Sequence, residues 1–222
     1  MRHSTYDFPG VYTPQGAGGG FGLNPRNDIS PTDPICIIRE PVNGRTADLW
    51  QWGRQTPRSP SPRVNARSDN LIKYYPEAFK SRRCLIPADA WYEWTAITNA
   101  PEGRKERLSA GLSLGGKQRW SFRVRDNELF YFAGIYGEGF RKDKKTGEWE
   151  KCKAVIMITT AANSQIAKTG HKRQPVIIQP DSYDMWLDSN YFSEQAHQAA
   201  LASVNYDGLV MERVRGPVGI SV

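Results

Sequence analysis

The sequence predicts an α+β fold built as a single domain. Two observations lead there: many short strand-like runs are interspersed with short helical ones, and no alternation of strand with long helix marks a βαβ repeat. A third bounds the size. The chain has 222 residues with no internal repeat and no linker-like boundary, so residues 1–222 are read as one unit. Hydrophobic residues make up 39% and aromatics 11%, which is enough for a sizeable core.

Taken in order, residues 1–21 carry the Gly/Pro chemistry of turns, including Gly16-Ala-Gly-Gly-Gly20. Ile35-Cys-Ile-Ile38 and Asp48-Leu-Trp-Gln-Trp-Gly53 read as strands, the second ended by its glycine. Arg54–Arg63, with three prolines among Arg54, Arg58 and Arg63, reads as a basic loop. Ser68–Tyr75 reads as a short helix with Ser68 as N-cap, and Pro76–Phe79 as a second turn. Arg82–Ile86 is a strand running into Pro87-Ala-Asp-Ala-Trp-Tyr-Glu-Trp94.

The polar stretch 95–116 reads as an exposed loop or insertion. Trp120–Arg125 and Glu128–Tyr136 read as a hairpin around Asp126-Asn127. The charged segment 138–151 reads as a solvated turn, and Ala154–Thr160 as the most deeply buried strand. Asn163–Lys168 is a short helix closed by Gly170, followed by His171-Lys-Arg-Gln174 in a turn and by the strand Pro175–Ile178. Pro180–Leu187, with Asp181 as N-cap, and Tyr191–Ser203 are helices, and Val210–Val214 adds a last strand.

Charge and cysteine content narrow the function. Net charge is +7 and the sequence pI about 9.4, which favours an anionic partner, nucleic acid before acidic membrane. Mean hydropathy is −0.61, no apolar run is long enough to span a membrane, and the first residues lack a secretory signal. Three widely spaced cysteines (Cys36, Cys84, Cys152) suit a reducing cytoplasm and form no zinc-ligand spacing. With only three histidines, a metal centre is not expected, and no cofactor fingerprint is present.

Glu93 stands among three large aromatics. In a strand, Trp91 and Glu93 share one face, and Tyr92 and Trp94 the other. A carboxyl group held against such rings is partly desolvated, its pKa rises, and it becomes a proton donor and acceptor near neutral pH. The alternative is a solvated edge-strand carboxylate beside ordinary core aromatics. His171 follows a helix C-terminus and is either structural or proton-handling. Arg54, Arg67, Lys172 and Arg173 are candidate phosphate contacts; Trp50, Trp52 and Trp91 are candidate base-stacking groups. Each is otherwise a solvated charge or a core aromatic.

Three stretches occur in a fixed order: Val64-Asn-Ala-Arg67; Arg83-Cys-Leu-Ile-Pro-Ala-Asp-Ala-Trp-Tyr-Glu-Trp94; and Thr159-Thr-Ala-Ala-Asn163 with Gly170-His-Lys-Arg-Gln-Pro-Val-Ile-Ile178. Trp52-Gly53 and Glu128–Tyr136 fit the same pattern. The ordered set resembles the SRAP (SOS-response-associated peptidase) family over roughly residues 22–180. The resemblance implies a mainly antiparallel, barrel-like sheet flanked by short helices. It also implies a cytoplasmic, nucleoid-associated, monomeric sensor of abasic sites in single-stranded DNA, with crosslinking, lyase or peptidase chemistry.

Carried over by position, Asn65 helps place the N-terminus and the sugar. Glu93 shuttles protons during imine formation and ring closure, His171 assists sugar ring opening and crosslink reversal, and Arg67 holds a phosphate. The family begins Met-Cys-Gly-Arg, and its cysteine amine and thiol close a thiazolidine on the sugar aldehyde. This chain begins Met-Arg-His-Ser, so Arg2 stands where the nucleophile is expected. Three outcomes are then open: the chain binds abasic DNA without stable crosslinking, the free amine of Met1 forms a reversible imine, or the true start differs from the one given. The alternatives are an autoprocessing peptidase and a DNA-binding module that has lost the crosslinking nucleophile.

Overall fold

The computed structural model describes residues 11–12, 29–41, 44–96, 117–124, 129–143 and 145–214. In chain order the strands are β1 (Val11–Tyr12), β2 (Pro34–Arg39), β3 (Arg45–Trp52), β4 (Arg54–Thr56), β5 (Ser59–Arg63), β6 (Asn65–Arg67), β7 (Arg83–Ala88), β8 (Trp91–Ala96), β9 (Lys117–Val124), β10 (Phe130–Lys142), β11 (Trp149–Ala161), β12 (Arg173–Pro175) and β13 (Leu209–Arg213). The helices are short: α1 (Leu71–Tyr74), α2 (Pro76–Ser81), α3 (Ser164–Ala167), α4 (Tyr183–Leu187) and α5 (Glu194–Ala200). The class is α+β, as the sequence predicts. By packing, the chain forms two compact units: Met1–Pro87 with Phe130–Ala161 and Pro175–Ser203, and Ala88–Leu129 with Ala162–Gln174 and Val204–Val222. Of the expected N-terminal segment 1–21, all but Val11–Tyr12 lies outside the described residues, as do residues 97–116 of the expected insertion.

In the first unit the sheet closes on itself. Its order runs β11-β3-β2-β7-β10, and β10 pairs back onto β11. The closing pair is a long antiparallel ladder from Gly134↔Met157 to Lys142↔Trp149. Ala154–Thr160 are all buried, as a strand enclosed on both faces requires, and Ala154–Ile158 are accordingly apolar without alternation. Gly134 permits close approach of β10 to β7: a Cβ there would lie 2.8 Å from Cys84 Sγ and 3.0 Å from Ile86 Cδ1. Outside the ring, Leu71, Phe79, Trp186, Leu187 and Leu201 pack with Leu85, Ile135, Ile156 and Ile158 in one core.

A buried arginine ties the helices to this core. Arg83, 2% exposed at the start of β7, donates to the carbonyls of Phe79 (2.8 Å), Trp186 (2.7 Å) and Tyr191 (3.0 Å), and also to those of Lys80 and Asp188. All but the Tyr191 carbonyl lie at the C-terminal ends of α2 and α4, where backbone acceptors lack intrahelical partners. Burial pulls the guanidinium's pKa down to about 10, still well above neutrality.

The second unit is a three-stranded antiparallel sheet, β13-β9-β8, with α3 and the turn after it. Buried Asn163 caps α3 by accepting from the amides of Gln165 (3.0 Å) and Ile166 (2.8 Å). Its own amide donates to Gln174 Oε1 at 2.7 Å, and its side chain to the Val204 carbonyl at 2.7 Å. Gln174 in turn donates to the Tyr206 hydroxyl at 3.2 Å, so the segment 163–174 is pinned at both ends.

Several expectations are corrected. The basic stretch 54–63 is a β4–β5 hairpin, not a loop. β5 is the end strand of its sheet order, where proline's missing N–H need not interrupt a ladder. The segment 138–151 is mostly β10 and β11, with the reversal confined to Asp143–Glu148, whose Asp143 Oδ1 accepts from the amides of Lys145 (2.8 Å) and Thr146 (2.7 Å). Asp126-Asn127 lie outside the described residues, and the described arms of the expected hairpin pair elsewhere: β9 with β8 and β13, and β10 with β11, β4 and β7. Neither Ser68 nor Asp181 is a cap, since both stretches open as 3-10 turns preceded by Arg67 and Gln179 without a side-chain cap. The last helix is shorter than expected, with Ser193 capping it through Ala196 N at 3.3 Å.

Arg83→Met should lower unfolding free energy by about 3 kcal/mol or more, because it leaves several buried carbonyls without donors. Urea denaturation measures this. A change below about 0.5 kcal/mol, the range of an ordinary surface substitution, would remove the assigned role.

Candidate active site

Glu93 sits in the middle of β8, opposite Trp120 of β9, with Trp91 opposite Phe122. The two-residue period puts Trp91, Glu93 and Thr95 on one face of the sheet and Tyr92 and Trp94 on the other. Exposure follows that division. Trp91 is 7% exposed and Phe122 fully buried, whereas Tyr92 is 41% and Trp94 39% exposed. Trp91 and Phe122 stack with ring centroids 4.8 Å apart and an interplanar angle of 12°. Glu93, half-buried on this apolar face, has its carboxyl pKa pushed from 4.5 up to about 7 by removal from water. The aromatic setting read from the sequence thus has the expected electrostatic consequence.

His171 belongs to the same unit and reaches the same face. Its Nε2 lies 2.9 Å from Thr95 Oγ1, one alternate position along β8 from Glu93. Phe122 meets its ring edge-on at 6.2 Å. Burial lowers the imidazole pKa, which favours the neutral ring. The turn that holds it is shaped by Gly170, at φ +88°, where a Cβ would also press to 3.2 Å from Thr95 Cγ2. The fold therefore gathers a carboxyl group near its midpoint of titration and a neutral imidazole on one aromatic-lined surface.

The other expected residues are distributed differently. Asn65 and Arg67 flank buried Ala66 on β6, which runs parallel to β11 with Asn65↔Met157 and Arg67↔Thr159. Both side chains are exposed, in the first unit. Arg67 holds Asp69 through two hydrogen bonds, at 2.9 and 2.5 Å, so a phosphate reaching it competes with a carboxylate. Trp52 donates from Nε1 to the Val64 carbonyl at 3.2 Å and is half-buried. Arg54 and Lys172 are exposed and Arg173 half-buried. Met1 lies outside the described residues.

Two stacking candidates are corrected. Trp50 and Trp91, each 7% exposed, are core residues. The exposed aromatics, Tyr92 and Trp94, carry Arg119 against them at 3.8 and 5.6 Å from the ring centroids. Strand alternation around Glu93 was the signal for them. Burial disfavours the thiolate form of the cysteines. All three are free; burial pushes Cys36 up to about 12 and raises Cys84 and Cys152 as well. Among the described residues no cluster of His, Cys, Asp and Glu could hold a metal ion.

Residues 15–221 match the family model for SRAP, the SOS response associated peptidase. The chain belongs to this family. Among curated relatives it is 26% identical to the abasic site processing protein YoaM of Bacillus subtilis, over 83% of this chain and 75% of YoaM. It is 25% identical to YoqW of the same organism, also named an abasic site processing protein, over 84% and 77% of the two chains. Solved structures share the SRAP fold. A Bacteroides thetaiotaomicron protein superposes with a TM-score of 0.60 at 21% identity, over 83% of this chain and 75% of that one. A phage-related protein from Bordetella bronchiseptica does so with 0.62 at 20% identity, over 88% and 84%.

The raised Glu93 pKa has a stability consequence. Between its ordinary value of 4.5 and about 7 the folded chain keeps a proton that the unfolded chain has released. Stability therefore falls as pH rises through that window. Glu93→Gln removes the ionisation, so the variant should gain on the native chain by up to about 3 kcal/mol at pH 8 and by little at pH 5. Chemical denaturation at both pH values checks this; an equal difference at the two would contradict it.

Proposed function

We propose that this SRAP-family chain recognises abasic sites in single-stranded DNA and handles protons there with Glu93 and His171. The observation that carries the reading is Glu93 itself, a half-buried carboxyl with a pKa of about 7 on the face that also receives His171. The names of the curated relatives, abasic site processing proteins, supply the substrate class. A net charge of +7 suits a polyanion, and no helix among the described residues is long and apolar enough to cross a membrane. A cytoplasmic, nucleoid-associated place for the chain follows from that reading.

The chemistry is that of an aldehyde meeting an amine. His171 moves the proton of the anomeric hydroxyl as the sugar ring opens. An amine of the chain, the Met1 α-amino group in our reading, adds to the aldehyde carbon. Glu93 then donates its proton to the carbinolamine hydroxyl, which leaves as water while the nitrogen lone pair forms the C=N bond. The resulting carboxylate takes the proton the nitrogen gives up. A group titrating at about 7 can do both within one cycle. Within the first unit, exposed Arg67, once released from Asp69, and Arg54 are phosphate contacts in this reading, with Asn65 and Trp52 as the polar and aromatic groups of that surface; within the second, Lys172 and Arg173 are the phosphate contacts.

Cys36, Cys84 and Cys152 are internal residues whose nitrogens are amides, so none offers the free amine beside its thiol that a thiazolidine needs; these positions favour an imine. They equally favour the reading in which the fold binds DNA without covalent chemistry. They count against a cysteine-dependent autoprocessing peptidase.

Borohydride trapping separates these readings. With abasic single-stranded DNA the native chain should give an adduct that survives denaturation only when reductant is present. Glu93→Gln should slow its formation by about 10²-fold, the usual loss on removing a general acid–base group. An unchanged rate would remove Glu93 from the chemistry. No adduct, together with salt-sensitive binding, would leave the non-covalent module.

A further inference from the structure

We infer that Thr95 is a positioning residue that fixes His171 as the Nε2–H tautomer and so makes Nδ1 its proton-accepting atom. The inference deepens the reading of His171 given above, but its geometric half stands without it.

The argument is a count of protons. Thr95 Oγ1 carries one hydrogen and has two neighbours: the Thr169 carbonyl at 3.0 Å and His171 Nε2 at 2.9 Å. A carbonyl oxygen can only accept, so the hydroxyl proton goes to Thr169. Oγ1 then faces His171 with a lone pair, and Nε2 must donate. In the neutral ring this leaves the lone pair on Nδ1. Among the described residues, no hydrogen-bond partner occupies that nitrogen.

The Thr169 carbonyl is itself held in place. The Thr169 amide and hydroxyl both donate to the Ile166 carbonyl, at 2.9 and 2.7 Å, and the Gly170 amide donates to Ala167 at 3.0 Å. The relay therefore begins in the closing turn of α3, passes through a strand hydroxyl and ends on the imidazole. Glycine at 170 is part of it, because a Cβ there would press on Thr95 Cγ2 at 3.2 Å. Thr95 touches no reacting atom in this arrangement. It acts through His171, as a group that sets tautomer and ring orientation.

Nitrogen-15 spectroscopy of the imidazole tests the assignment on the native chain without any DNA. At neutral pH, His171 should show a pyrrole-like Nε2 and a pyridine-like Nδ1. The reverse pattern would overturn the inference. Thr95→Val, which keeps shape and drops the hydroxyl, should bring the two nitrogen shifts toward each other and speed exchange of the Nε2 proton. Thr95→Ser should restore both. A Thr95→Val spectrum identical to the native one would also overturn it. In the trapping assay Thr95→Val should slow adduct formation about tenfold and Thr95→Ser should rescue it. If the native spectrum is as expected but no adduct forms with any chain, the functional reading fails and the positioning by Thr95 stands.

Discussion

The ladder between β10 and β11 closes the ring of the first unit, and much else in that unit is placed by it. Its register from Gly134↔Met157 to Lys142↔Trp149 makes β11 a wall shared with β10, β3 and β6. A one-residue slip would turn Ile156 and Ile158 out of the core and carry the Asn65–Arg67 strand with them. The reversal at Asp143 and the glycine at 134 are the local devices that hold the register. Arg83 adds the helices to this frame by collecting their terminal carbonyls, a use of a buried cation that depends on every donor finding an acceptor.

The second unit works by a different constraint. Its sheet is small, and its polar residues are not all used for stability. Asn163 and Gln174 form a satisfied network that fixes the ends of the α3 turn. Glu93, by contrast, is held where its charge is disfavoured, which costs folding free energy at neutral pH. Such a cost, borne on the same face as His171, is the basis of the proton-transfer role proposed for this pair.

Much of this was legible in the chain. The aromatic-flanked Glu93, the glycine-closed turn before His171, and the apolar run Ala154–Ile158 of β11 each state their structure locally. What was not legible is pairing. The arms around Asp126-Asn127 both look like strands, but sequence alternation says nothing about the partner, and β9 and β10 join different sheets. The charged arms of the 138–151 ribbon resemble a loop because outward-facing positions of a ribbon are free to be polar. Trp50 and Trp91 resemble stacking groups because burial of an indole leaves no mark on its neighbours in sequence. The Thr95–His171 contact, which joins residues 76 positions apart, was beyond reach for the same reason.

The central claim is that the surface around Glu93 and His171 receives a sugar without its base. The most direct measurement is the affinity of the chain for a single strand bearing one abasic site against the same strand intact, by fluorescence anisotropy under reductant-free conditions. The account predicts tighter binding to the abasic strand, with that preference reduced in Glu93→Gln while affinity for the intact strand stays the same. Equal affinity of the native chain for both strands would contradict it.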